Sequence, residues 1–155
     1  MARYAVGTSG TAATMSTSNS LAAVWTVTGT GILRRFRVLD VVFGCSGTPG
    51  DTAMVLQAQR STTAATGGTA ITPTAMDPAD VACGATSMVQ PSMTDGTKTA
   101  GTIMLSLSLN QRSTVRWFAA PGEEMVVPAT ASNGIHFPTP VAPGLAGVLT
   151  IVFDE

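Results

Sequence analysis

Alternation with a period of two runs through this chain, and almost nothing competes with it. Between Thr102 and Asn110, Ile103, Leu105, Leu107 and Leu109 share one side, while Thr102, Met104, Ser106, Ser108 and Asn110 share the other. Successive side chains of an extended strand point to opposite faces, so the pattern predicts a strand with one apolar face. Burying four such side chains contributes about 6–12 kcal/mol before entropy costs. Thr52–Arg60 repeats the pattern, with Met54, Leu56 and Ala58 opposite Gln57 and Gln59. Long Leu/Glu/Lys/Gln segments at helical spacing are missing, and Gly, Pro, Asn and Ser break the chain every few residues. The expected fold class is therefore all-β.

Further strands are expected over residues 2–8, Leu21–Thr28, Ile32–Phe43, Thr114–Ala119, Glu124–Val127, Ile135–Phe137 and Leu145–Phe153. Gly29-Thr30-Gly31, Ser46–Asp51, Pro121-Gly122 and Asn133-Gly134 supply turns between them. About eight antiparallel strands is the jelly-roll number, so a single-domain β-sandwich of jelly-roll type is expected over residues 21–155. An immunoglobulin-like sandwich ranks second, since no Cys–Trp–Cys spacing of that type is visible. Residues 1–20 are expected to act as a flexible or partner-ordered N-terminal arm, because Gly10–Ser20 is low in complexity and lacks apolar bulk. Thr62–Met93 carries Gly67-Gly68, Pro73, Pro78 and Pro91 and few large hydrophobes, and reads as a long irregular central loop.

Charge is scarce. Only 11% of the 155 residues are charged and the formal net charge is −1, against roughly 25% charged residues in an ordinary domain. Val6–Leu33 contains no charged residue, and between Arg60 and Asp95 only Asp77 and Asp80 are charged. A surface of Thr, Ser, Gly, Ala and Asn does little to hold copies apart, so these stretches predict contact surfaces of a self-assembling protein. The charge balance gives no general attraction to nucleic acid or acidic membranes. No run approaches the roughly 20 apolar residues of a membrane span, and the first twenty residues lack a signal-peptide core.

Catalytic and metal signatures are missing. His136 is the single histidine, and it lies between Ile135 and Phe137 on a short strand, so it reads as a structural or interface residue. Cys45 and Cys83 lack ligand spacing and read as buried reduced thiols. Glu123-Glu124 point to opposite faces if extended. Gly29-Thr30-Gly31 and Gly67-Gly68 lack the following Lys and helix of a phosphate loop. No catalytic residue, metal or cofactor is expected. Arg34-Arg35-Phe36-Arg37 is the densest charge cluster; on a strand, Arg35 and Arg37 would share a face. Pairing of such arginines across a subunit interface with Asp51, Asp77 or Glu123 is expected, since Arg favours interface ion pairs. The candidate interface residues are Arg34, Arg35, Arg37, Arg60, Asp77, Asp80, Arg112, Arg116 and His136.

The series Gln59–Thr63, Gly67-Gly68-Thr69, Leu107–Arg112, Arg116-Trp117, Pro121–Glu124 and Asn133-Gly134, with a final strand running into Glu155, resembles small tailed-phage virion proteins of the jelly-roll decoration or cement type. The resemblance spans residues 32–155. It implies a homotrimer on the outside of a phage head, bound to the major capsid protein or another virion protein, made in the host cytoplasm and found in the virion. The alternative is a carbohydrate- or receptor-binding sandwich of a fibre or tail. That reading needs exposed aromatics, and Tyr4, Trp25 and Trp117 are the residues that would serve it.

Overall fold

The computed structural model describes residues 1–8, 13–26, 33–141 and 144–155. Thirteen strands are present and no helix is found among the described residues. They are β1 (Arg3–Gly7), β2 (Ala13–Thr14), β3 (Ala22–Thr26), β4 (Phe36–Ser46), β5 (Ala53–Ser61), β6 (Thr69–Ile71), β7 (Thr74–Ala75), β8 (Ala85–Val89), β9 (Lys98–Asn110), β10 (Thr114–Phe118), β11 (Met125–Val127), β12 (Gly134–His136) and β13 (Ala146–Asp154).

Two antiparallel sheets face each other. One runs β10-β4-β13-β1-β7, with β11 beside β4 and β2 beside β13; the other runs β6-β8-β3-β12-β5-β9. Eight of these strands form a rolled hairpin. The first pairs the last (β1 with β13), the second the seventh (β3 with β12), the third the sixth (β4 with β10), and the fourth the fifth (β5 with β9). Successive pairs fall in alternate sheets, joined by β13 against β4 and β12 against β5. That winding is a jelly roll. The remaining short strands are additions at edges and corners.

The sandwich interior is filled from both sheets. Tyr4, Phe36, Val38, Val41, Phe43, Leu149, Ile151 and Phe153 enter from one, and Val24, Met54, Leu56, Ala58 and Ile135 from the other, all buried. β5 follows its sequence alternation, with Met54, Leu56 and Ala58 inside. Three rings mark one end of the core: Phe153 lies 5.2 Å from Phe36 and 5.8 Å from Tyr4 between centroids.

Several expectations need correction. β4 begins at Phe36, so Arg34 and Arg35 precede the strand, and Ile32 lies outside the described residues. β1 pairs with β13 and β7, and Met15 and Ser20 are buried, so residues 3–7 and 13–20 belong to the sandwich rather than to an arm. Only residues 9–12 of the expected arm are outside the description. The central segment contributes β6, β7 and β8, and it covers the outer side of β3 in the second sheet. There Ala65 and Met93 pack with Ala23 and Trp25 of β3 in a second small core. The segment is folded because the outward side of β3 is itself apolar and needs covering.

β9 is the largest departure. Ile103 is 47% exposed, and Leu105, Leu107 and Leu109 are only half-buried. The register along β5 slips at Ala58/Gln59, where two residues of β9 oppose one, and again before Ser61. Each extra residue inverts the alternation, so Ile103 faces outward beside Gln59. Gly101 sits in the second irregularity with φ +75°, where a side chain would be strained. The three leucines stay on the inner side, but β9 is an edge strand and nothing beyond it completes their burial.

Candidate interaction surface

The two outer faces of the sandwich differ. The central segment covers the second sheet only around β3 and β12, leaving the outer side of β9 exposed at Ile103, Ser106 and Ser108, while the first sheet is open across its strands. On that open face, one transverse row crosses five strands: Phe118, Asp40, Val152, Ala5 and Thr74. The next row holds Arg116, Val42, Thr150 and Gly7, and a third holds Thr114, Gly44 and Val148. These residues point outward because Val41, Phe43, Leu149, Ile151 and Phe153 alternate with them and are buried. Phe118 is 67% and Val148 42% exposed. The middle of the face is made of Gly, Ala, Thr and Val.

Its charges are gathered towards one end, where Arg37 and Arg116 are paired with carboxylates and the exposed Arg3, in register with Asp154, takes part in none of the ion pairs among the described residues. Arg37 faces Asp154 across β4 and β13, with Nε to Oδ1 at 3.0 Å and Nη2 to Oδ2 at 2.8 Å. Arg116 donates to both Asp40 oxygens at 3.1 Å from Nε and to Oδ2 at 2.6 Å from Nη2. The hydrogen bond to Asp154 and its charge raise the Arg37 pKa, and Asp40 does the same for Arg116. The intersubunit partners anticipated from sequence are thus not the ones used: Arg37 and Arg116 have carboxylates within their own chain. The Arg116 side chain is 65% exposed but that of Asp40 only 10%, and Arg116 donates to both Asp40 oxygens. Arg116→Ala leaves the mostly buried Asp40 carboxylate without these donors, at a cost of about 1–2 kcal/mol for that carboxylate, and is expected to lower the urea midpoint of the isolated chain.

The other candidates are scattered. Arg34 and Arg35 are exposed just ahead of β4. Asp77 accepts from the Ala79 N–H at 2.9 Å in the turn after β7, and Asp80 lies in the same turn. Arg112 sits in the β9–β10 turn, its N–H donating to Asn110 Oδ1 at 2.9 Å. Arg60 stands at the end of β5, away from every carboxylate among the described residues.

His136 is fully buried and is no surface residue. Ile135 faces the sandwich interior, so His136 points outward under the central segment. Its Nδ1 lies 3.3 Å from Asp95 Oδ1, off the line of a hydrogen bond, and Nε2 has no partner among the described residues. Asp95 is the residue sequence reading passed over. It accepts from the Ser20 N–H at 2.9 Å, the Ser20 hydroxyl at 2.8 Å and Lys98 Nζ at 2.6 Å. Burial pushes its carboxyl up, but the contacts with His136, Lys98 and Ser20 outweigh this and hold it well below the usual carboxylate range. A lone Asp in Met93-Thr94-Asp95-Gly96 carries no signal of this role, because its partners are distant in sequence.

The chemistry of the remaining groups is quiet. Cys45 and Cys83 are free and half-buried. Burial, with Glu155 adding to it, pushes the Cys83 thiol up to about 12, so it is protonated near neutrality. Among the described residues no group of three or more His, Cys, Asp or Glu side chains could hold a metal ion. The aromatics that would serve carbohydrate stacking are withdrawn, with Tyr4 and Trp25 buried and Trp117 half-buried. No protein-family model, curated protein or solved structure matches the chain.

Proposed function

We propose that the protein is a structural virion protein of the capsid decoration type, which self-associates and binds the outside of a phage head. The observation that carries this reading is the open face of the first sheet. It is charge-depleted in the middle and apolar at Val42, Val148 and Val152, as the centre of a subunit interface is. The jelly-roll winding and the resemblance of residues 32–155 to decoration proteins support the same reading. A neighbouring copy of the chain is the occupant that fits best: in a closed trimer this face meets a different patch of the next subunit, and its small residues allow close approach.

Sedimentation velocity tests it. The expected species is a trimer, three times the 15.7 kDa chain, persistent on dilution. Val148→Lys places a charge on a position already 42% exposed in the single chain, so it is expected to dissociate the trimer without unfolding the subunit. A wild-type chain that sediments as a monomer at all concentrations overturns the proposal.

A further inference from the structure

At one end of the sandwich, where β5, β9, β11 and β12 meet, the sheets part around a cavity of about 180 Å³. Its lining combines Arg60, Ser61, Thr99, Thr102 and Asn133 with the apolar Val127 and its neighbours on β11. We propose that this cavity binds a small monocarboxylate, the carboxylate on Arg60 and the body of the ligand against Val127 and the threonines.

Two observations carry it. The first is charge. Arg60 is the only ionisable residue in the lining, and none of the salt bridges uses it. One of its five N–H donors reaches Met104 Sδ at 3.2 Å, and the rest have no partner among the described residues. A single guanidinium balances one negative charge and takes a carboxylate in fork geometry. A phosphate dianion would call for a second cation or several converging N–H groups.

The second is the shape of the site. Thr102 donates its hydroxyl hydrogen to the Thr99 carbonyl at 2.7 Å, which fixes its oxygen as an acceptor for a ligand hydroxyl. The irregular stretch of β9 around Gly101 is what brings Thr99 and Thr102 to the cavity. The irregularity that costs β9 its clean alternation therefore builds this wall.

Two sources share this chemistry, a sugar acid and a short-chain fatty acid. Titration of the ¹⁵N-labelled full chain with D-glucuronate, butyrate and neutral D-glucose separates them. Saturable shifts of the Ser61, Thr99 and Asn133 amides are expected with glucuronate or butyrate and not with glucose. Glucuronate binding alone assigns a hydroxylated ligand; butyrate binding alone assigns an aliphatic one. Arg60→Ala, at an exposed position, is expected to keep the dispersed spectrum and weaken binding roughly tenfold or more. No saturable shift with either acid, equal shifts with glucose, or unchanged affinity in Arg60→Ala overturns the proposal. Each of these results leaves the oligomeric reading untouched, since that rests on the opposite face of the molecule's first sheet and on sedimentation.

Discussion

Asp95→Ala is expected to destabilise the isolated chain by about 3–5 kcal/mol, the cost of removing one partner from a buried ionic cluster. At a urea m-value near 2 kcal/mol/M this moves the denaturation midpoint by about 2 M with no change in slope. The Asp95 side chain is only 6% exposed and holds three separate parts of the fold. Ser20 leads into β3, Lys98 opens β9, and His136 closes β12. Removing the carboxylate leaves the Ser20 N–H and hydroxyl without their acceptor and takes from His136 the oxygen 3.3 Å from its Nδ1. Asp95→Asn keeps an acceptor for Ser20 but sets an amide against the Lys98 ammonium, so an intermediate loss is expected. A drop of less than about 1 kcal/mol for Asp95→Ala would show that the cluster is incidental to stability.

The same carboxylate sets a pH dependence whose sign follows from its depressed pKa. A group that ionises more readily in the folded chain than in the unfolded one contributes stability above the unfolded value, about 3.9 for Asp. That contribution is lost as pH falls below it towards the folded value. The stability gap between wild type and Asp95→Ala is expected to be constant above about pH 5 and to narrow below about pH 4. A gap that widened on acidification would contradict the direction of the shift.

Local patterning made much of this fold legible. β5 and the inner face of β10 follow alternations that can be read residue by residue, because each strand keeps one side in the core. Val115 and Trp117 turn inward and Arg116 and Phe118 outward, as their order predicts. The turn expected at Asn133-Gly134 falls instead at Thr130–Asn133, with Ser132 at φ +64° and the Asn133 N–H donating to the Thr130 carbonyl at 3.1 Å. Gly134 opens β12, where it has a duty that no dipeptide rule reveals. A Cβ there would lie 2.4 Å from the Val24 carbonyl oxygen and 2.6 Å from Trp25 Cβ, so β12 can approach β3 only through glycine.

What remained hidden depends on contacts between distant residues. The leucines of β9 have the cleanest alternation in the chain, yet they are half-exposed. Burial depends on whether another strand lies beyond, and β9 is an edge. Thr62–Met93 is poor in large hydrophobes and so resembles a loop, yet Ala65 and Met93 suffice to roof Trp25. The carboxylates that pair with Arg37 and Arg116, Asp154 and Asp40, are far away in sequence and adjacent only after the hairpin rolls. Of the candidate surface, the sparse charge was legible. Which face it belonged to was not, since that requires knowing which sheet is roofed.

Phe153→Ala is expected to cost about 3–5 kcal/mol, as for a fully buried aromatic in a packed core. For a chain of this size the corresponding fall in Tm is about 10 °C. Phe153 is inaccessible to solvent, pairs with Tyr4 in register, and stacks at a tilt on Phe36. Those three rings join the first, third and last strands of the rolled hairpin. Phe153→Leu keeps most of the volume and is expected to lose less than about 2 kcal/mol. The rate at which the loss is felt is also constrained. Tyr4 and Phe153 lie near opposite ends of the chain, so bringing them together closes nearly the largest loop available. That closure gains most once the shorter β5–β9 and β4–β10 pairings have formed, which places it after the folding transition state. Phe153→Ala is therefore expected to speed unfolding, with little effect on the folding limb of a urea chevron. A folding limb slowed by the full equilibrium loss would instead put the pairing of the two ends at the start of assembly.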